Sequence, residues 1–146
     1  MPVPFNVPLN AGQVVMIEFG PDPRQVAAPG IMVGPLGVLP EMFKERPGIV
    51  IATASGLTTV VPFSTKEPPK VRGFHYRIPK GKYGGMSTLE DSWVKGDLIT
   101  TVSNARLDRP FVAGKRSRVM LDAADLKAVR AAVLNALQLG RLISYL

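Results

Sequence analysis

The sequence contains no cysteine and a single histidine, and both shortages limit its chemistry. Without cysteine, disulfide bonds, zinc–thiolate sites and thiol catalysis are excluded. With His75 as the lone histidine, acid–base catalysis by a pair of histidines is excluded as well. The acidic residues are scattered singly, so no metal-ligand spacing emerges and we predict no metal site.

Long apolar runs and a nucleotide-binding loop are also missing. No apolar stretch approaches the roughly 20 residues that a membrane span needs, and residues 1–8 lack the basic and apolar regions of a signal peptide. We therefore expect a cytoplasmic protein without a membrane partner. Glycines 30, 34 and 37 are not followed by Gly-Lys-Ser/Thr, so a phosphate loop fails and no cofactor is predicted.

Positive charge is in excess, with 18 basic and 11 acidic residues giving a net charge of +7. This balance favours a polyanionic partner, because each phosphate that is neutralised releases condensed counterions. A basic surface that only keeps the protein soluble is the alternative, since net charge concerns association rather than fold. The length of 146 residues predicts one domain, residues 1–146.

Short apolar runs separated by turn residues predict a mainly β, α+β fold with one terminal helix. The prolines of residues 1–11 predict an extended arm. The stretch 24–44 is rich in Pro and Gly and has no sustained period, which predicts a long loop. The predicted strands are 12–19, 48–54, 57–63, 71–78, 92–95 and 99–102. Asp122 is the expected N-cap of a helix that stops before Gly140 and covers the end of an open barrel. Its predicted apolar face consists of Leu126, Val129, Val133 and Leu137.

The chemistry is expected where two of these strands meet. Arg46 stands just before the second predicted strand, and the hydroxyl pair Ser64-Thr65 ends the third. If the strands form a hairpin, a permanently charged guanidinium meets two hydroxyls that can bind phosphate oxygens. The alternative is that Arg46 is an ordinary loop arginine and that the two hydroxyls only cap local backbone. No nucleophile accompanies them, which points to a substrate such as RNA that carries its own 2′-OH.

A second set of candidates would bind the rest of such a substrate. Trp93 can stack on an unpaired base or fill the core, and Asp97 can bind a base edge or remain a solvated turn residue. Arg72, His75, Arg77, Lys80 and Lys82 alternate with Phe74, Tyr76 and Tyr83, which suits a single-stranded nucleic-acid groove or, for the aromatic residues, core packing. The remaining candidates for substrate binding are Lys66 and Lys95.

The order of these segments resembles the PemK/MazF family of toxin endoribonucleases. The Trp-Val-Lys-Gly-Asp and His-Tyr stretches make the YifN-like branch the closest likeness. Ser64 replaces the usual Thr and retains the hydroxyl. Leu98 replaces Gln and Thr100 replaces a frequent Arg, which removes two polar contacts and puts base specificity in question. The matching stretches are 12–15, 45–51 with the Arg-Pro motif, 60–65 ending in the hydroxyl pair, 95–102 and Arg106-Leu107.

The resemblance implies an SH3-like small barrel of the CcdB/PemK type, a homodimer and a cognate antitoxin. It further implies metal-independent cleavage of single-stranded RNA, with Arg46, Ser64 and Thr65 in the catalytic positions. Asp97 and Lys95 match the family's substrate groove. The alternatives are a barrel of this fold that binds a protein target without catalysis, as gyrase-poisoning relatives do, and a plain RNA- or DNA-binding barrel.

Overall fold

The computed structural model describes residues 8–20 and 44–146. The predicted arm over residues 1–11 falls partly within this range, where residues 8–10 have no regular secondary structure and Leu9 is buried. The predicted loop over residues 24–44 lies outside the described residues except for Lys44.

The described residues form ten β-strands and one α-helix. In chain order they are β1 Gln13–Glu18, β2 Glu45–Ala54, β3 Leu57–Ser64, β4 His75–Ile78, β5 Ser92–Lys95, β6 Thr100–Ser103, β7 Leu107–Asp108, β8 Phe111–Val112, β9 Lys115–Arg116, β10 Val119–Met120 and α1 Ala123–Ala136.

Eight of the strands form one antiparallel sheet in the order β10-β1-β2-β3-β5-β4, with β6 beside β3 and β7 beside β1. Strands β8 and β9 form a separate hairpin. Within residues 8–20 and 44–146 the end strands β4 and β10 do not pair with each other, so the sheet is not a closed barrel. The expectation of a mainly β fold with a C-terminal helix is confirmed, and the barrel is open.

The central hairpin follows from its sequence. The β-branched run Ile49-Val50-Ile51 favours a strand, and the two-residue turn Ser55-Gly56 has φ values of 51° and 79°. Positive φ at both central residues defines a type I′ turn, whose twist matches that of the flanking strands. Both strands reach further than predicted, so Arg46 and Ser64 lie inside β2 and β3 rather than beyond their ends.

The sheet is apolar on both faces, as the alternation in β1 illustrates. Val14 packs in a cluster that contains Val129 and Val133 of α1, whereas Val15 and Ile17 pack in a second cluster with β2, β3, β6 and β7. The helix therefore packs against one face of the sheet. The predicted apolar face of the helix is wrong at Leu137, whose side chain is 54% exposed.

The two helix ends differ in how well the sequence predicted them. Asp122 is the N-cap, and its carboxylate accepts a hydrogen bond from the Asp125 N–H at 2.7 Å. The predicted stop before Gly140 is wrong, because the chain leaves the helix at Gln138 with φ of 60°. The Gln138 N–H donates to Asn135 O at 3.1 Å and the Leu139 N–H to Leu134 O at 2.8 Å, the two bonds of a Schellman motif.

Candidate functional site

A fork between two strands creates the candidate site. The ladder between β2 and β3 has its last pair at Gly48↔Pro62. Beyond this pair, β2 continues along β1, with Arg46 opposite Ile17, while β3 turns to pair with β5, with Ser64 opposite Trp93. Pro47 and Pro62 have no N–H, so neither can donate a ladder hydrogen bond across the gap. The strands separate and leave a cleft.

The cleft has a volume of about 130 Å³ and brings the three predicted catalytic residues together. Arg46 comes from the β2 wall, and Ser64 and Thr65 come from the β3 wall. Two serines that the sequence analysis did not single out, Ser87 and Ser92, also line it. No sequence signal marked these serines, since neither lies near Arg46 or Thr65 along the chain. The complete lining is Glu45, Arg46, Pro47, Phe63, Ser64, Thr65, Ser87 and Ser92.

The hydroxyls of the cleft can still donate hydrogen bonds. Ser64 Oγ accepts a hydrogen bond from the Lys66 N–H at 3.1 Å, which uses one lone pair and leaves its own proton available. Thr65 is exposed and Arg46 is half-buried. Glu45, the neighbour of Arg46, supplies the one carboxylate among the described residues of the lining. The cleft thus combines a permanent cation, hydroxyl donors and a possible proton acceptor.

A surface next to the cleft carries the predicted substrate-binding residues. Register places Ser64, Trp93 and Arg77 side by side on β3, β5 and β4, and Lys95 lies opposite His75 in the next row. Burial alternates along β5: Ser92 and Val94 are buried, whereas Trp93 and Lys95 are half-buried. Trp93 therefore lies on the face of β5 opposite the core residue Val94, which removes the core-filling alternative. We call this surface the sheet platform.

Charge couples the other candidates to the sheet platform. Burial, Lys95 and Arg72 lower the pKa of His75, and Asp97 opposes them. Burial also lowers the pKa of Lys95, which Asp97 raises and Lys66 lowers. All six predicted substrate-binding residues therefore lie in one neighbourhood beside the cleft: Lys66, Arg72, His75, Trp93, Lys95 and Asp97.

The state of the imidazole limits what it can do. His75 Nδ1 accepts a hydrogen bond from the Arg72 N–H at 3.0 Å, so the proton of the neutral ring is on Nε2. Because the pKa is lowered from 6.5, this neutral form dominates at neutral pH. His75 then offers a hydrogen-bond donor to a ligand rather than a cationic general acid.

Two of the three aromatic residues of the predicted basic groove, Tyr76 and Tyr83, belong to the core. Tyr76 and Tyr83 pack against the core cluster under α1, and their hydroxyls donate to Asp125 at 2.6 and 2.7 Å. Lys82 forms an ion pair with the same carboxylate at 2.6 Å. The core-packing alternative is therefore correct for both tyrosines. Asp125 is 3% exposed, and the sequence analysis did not single it out.

This cluster, which we call the Asp125 anchor, has shifted titrations. Burial raises the pKa of Asp125, but hydrogen bonds from Lys82, Tyr76 and Tyr83 outweigh it and lower the pKa overall. Burial is the largest of the effects that raise the pKa of Tyr83 to about 12. The anchor ties the loop after β4 to the start of α1.

Neither a metal centre nor a membrane-spanning helix is found among the described residues. Among the described residues, no group of three or more His, Asp or Glu side chains is arranged to hold a metal ion. Within residues 8–20 and 44–146, every helix falls short of the length and hydropathy required to cross a bilayer.

Comparison with known proteins identifies the family. The model of the PemK-like, MazF-like toxin of type II toxin–antitoxin systems matches residues 10–137, which is most of the chain. The chain belongs to the PemK/MazF toxin family. Since toxins of this type act as one half of a pair, membership implies an antitoxin partner.

A solved structure supports the fold of this PemK/MazF toxin. The Mycobacterium tuberculosis toxin MazF-mt6 is similar with a TM-score of 0.52 and 20% sequence identity, over 68% of this chain and 92% of that one. At this identity the likeness concerns the fold alone. The comparison with curated proteins finds no match.

Proposed function

We propose that this PemK/MazF toxin is an endoribonuclease that cleaves single-stranded RNA without a metal ion. The observation that carries the proposal is the meeting of Arg46, Ser64 and Thr65 in one small cleft. A volume of about 130 Å³ is well below the ~300–1,000 Å³ of ordinary ligand pockets. It suits a single phosphate group better than a whole nucleotide.

The proposed reaction uses the nucleophile of the RNA. The 2′-oxygen forms a bond to the adjacent phosphorus while the bond from phosphorus to the 5′-oxygen breaks, giving a 2′,3′-cyclic phosphate and a 5′-hydroxyl. The Arg46 guanidinium stabilises the charge that grows on the phosphate. Ser64 and Thr65 donate hydrogen bonds to its non-bridging oxygens, so catalysis is mostly positioning and electrostatics.

Two protons move in this reaction. The 2′-OH proton needs an acceptor, and we propose the Glu45 carboxylate because it lines the same cleft. Arginine is too basic to accept a proton at neutral pH. As the 5′-oxygen leaves it takes a proton from a water held by Arg46, and the resulting hydroxide is neutralised by the proton that Glu45 releases to solvent.

The remaining elements of the proposal come from the family. The sheet platform binds nucleotides next to the scissile phosphate through Trp93, Lys95, Asp97 and His75, with Arg72 and Lys66 supplying charge. The toxin acts in the cytoplasm as a homodimer that its cognate antitoxin inhibits.

The deciding experiment is cleavage of mixed-sequence single-stranded RNA in EDTA, with mapping of the new 5′ ends. The wild-type toxin should give discrete cuts with 5′-hydroxyl ends. Arg46→Ala should reduce the cleavage rate by at least about 100-fold, the effect of removing one preorganised charge-stabilising group. Its melting temperature should stay near that of the wild type, because Arg46 is not part of either core cluster.

Arg130→Ala is the matched control, since Arg130 is exposed on α1 and its loss removes the same charge. Undiminished cleavage by Arg46→Ala would overturn the catalytic assignment. If the wild-type toxin makes no cuts in any RNA but remains toxic, the alternative of a non-catalytic toxin that binds a protein or nucleic-acid target is correct.

A further inference from the structure

The small cleft leaves most of an RNA substrate to be bound elsewhere. About 130 Å³ accommodates little more than the reacting phosphate group. The sheet platform lies on one side of the cleft, where β3 pairs with β5. The opposite side, where β2 pairs with β1, has no role in the proposed function so far.

A basic hairpin lies on that opposite side. Strands β8 and β9 are joined by the turn Ala113-Gly114, whose φ values of 50° and 80° define a type I′ turn. The Arg116 guanidinium lies 3.9 Å from the centre of the Phe111 ring. Arg116 also donates to Arg109 O at 2.7 Å and pairs with Asp108 at 3.4 Å. These contacts fix the hairpin in place.

The hairpin and its flanking residues are rich in positive charge. Residues 106–118 contain five basic residues and one acidic residue, a net charge of +4 out of +7. Lys115 and Arg118 are exposed, and neither forms an ion pair with the described residues. Phe111 is 59% exposed although it belongs to a residue type that is usually buried. An exposed aromatic ring on the same short segment as exposed cations is the pattern of single-strand binding surfaces.

Two structural links place the hairpin beside the cleft. Pro47 of the cleft pairs with Met16, and Met16 pairs with Asp108, which anchors Arg116. Two strand spacings amount to about 10 Å. Gly85 forms the second link, because a Cβ there would lie 2.5 Å from Pro110, while Ser87, two residues later, lines the cleft.

We propose that the β8–β9 hairpin is a second RNA-binding arm, which holds the strand on the side of the cleft away from the sheet platform. Lys115 and Arg118 bind phosphates, and a base stacks on the Phe111–Arg116 pair. The inference rests on the proposed function, since it assigns the path of that substrate. It explains why the charge and the exposed ring occur together on a fixed hairpin.

Binding of an uncleavable RNA tests the arm separately from catalysis. The probes are 2′-O-methyl oligonucleotides of about 12 and about 3 nucleotides, within and below single-strand site sizes, measured by fluorescence anisotropy at several salt concentrations. Lys115→Ala/Arg118→Ala should bind the long probe about tenfold more weakly and reduce the salt slope by about 1.4, that is, about 0.7 per lost phosphate contact. Phe111→Ala should weaken the long probe about tenfold through lost stacking. Binding of the short probe should not change.

Lys127→Ala/Arg130→Ala is the matched control, because it removes two exposed cations from α1. An equal loss of affinity for the long probe in this control would show that surface cations act through the overall electrostatic field, and it would overturn the proposed arm. Unchanged binding of the long probe by both hairpin variants would also overturn the proposal. This holds equally if the variants lose binding to the antitoxin but not to RNA. Melting curves verify the fold of each variant. Cleavage of ordinary RNA by the wild type is scored independently, so failure of the proposed function and failure of the arm are distinguishable.

Discussion

Arg46 and His75 are two basic residues beside one cleft, and they suit different ligands. An arginine guanidinium is a permanent cation. The imidazole is neutral at neutral pH, because burial and nearby cations lower its pKa, and its Nδ1 accepts the Arg72 N–H. The first side chain suits a growing negative charge, and the second suits recognition of a neutral group.

The lowered pKa of His75 gives a pH-dependent stability. Its folded pKa is below the unfolded value of 6.5, so its contribution is present above pH 6.5 and is lost as pH falls through the folded pKa. Urea unfolding at pH 7 and pH 5 should show a smaller loss of stability on acidification for His75→Gln than for the wild type. An equal loss in both proteins would contradict this assignment.

At the scale of elements, α1 supports the sheet platform from behind. Gly96 opens the short 3₁₀ helix Gly96–Leu98 that carries Asp97, and its N–H donates to Phe74 O at 2.8 Å. A Cβ at Gly96 would lie 2.8 Å from Ala132 O and 2.9 Å from Phe74 O. Both neighbours are backbone atoms, which cannot move without shifting the helix or the strand. The position of Asp97 therefore depends on a glycine.

Gly96→Ala is expected to destabilise the fold by about 2 kcal/mol, within the usual cost of overpacking, and to weaken RNA binding. The physical reason is that α1 and the loop before β4 must separate to admit a methyl group. Chemical denaturation and anisotropy measure the two effects.

The matched control is Gly73→Ala, where the nearest atom is the flexible Asn135 side chain at 3.1 Å. This change should cost less than about 1 kcal/mol. Equal costs for the two variants would contradict the role assigned to Gly96.

Strands of four or more residues and the helix were predicted from the sequence, and the two-residue strands were not. Strands β2 and β3 have continuous β-branched runs and a defined turn, so their pairing and the meeting of Arg46 with Ser64 followed. Strands β7 to β10 have two residues each, too few for any periodicity. The helix end was wrong because Gln138 adopts the left-handed conformation that glycine usually takes.

At the scale of the whole molecule, the Asp125 anchor joins parts that are distant in sequence. Tyr76, Tyr83 and Lys82 reach the carboxylate from the β4 strand and the loop after it, while Asp125 belongs to α1. The anchor holds the helix against the strand that carries His75 and Arg77. Sequence analysis could not find it, because three-dimensional contacts more than 40 residues apart leave no local pattern.

Asp125→Asn is expected to lower the free energy of unfolding by about 2 kcal/mol, because the buried amide leaves the hydroxyls of Tyr76 and Tyr83 poorly paired. The carboxylate has a lowered folded pKa, so its contribution is present above about pH 4 and is lost as pH falls through that pKa. The variant should therefore show a flatter acid limb in urea denaturation from pH 6 to pH 3. Asp122→Asn makes the same change at an exposed neighbour of Lys82 and should have a smaller effect. Equal effects at both positions would contradict a central role for Asp125.

The turn Ser55-Gly56 sets the register of β2 and β3, which form the walls of the distant cleft. Arg46 lies nine residues before Ser55 on β2, and Ser64 lies eight residues after Gly56 on β3. Side chains in a strand alternate between faces, so the register of the two strands decides which residues meet. Adding one residue to the turn would leave every amino acid of the cleft unchanged and rotate one wall against the other. Under the proposed function, an insertion in this turn is therefore expected to reduce RNA cleavage although it lies far from the cleft.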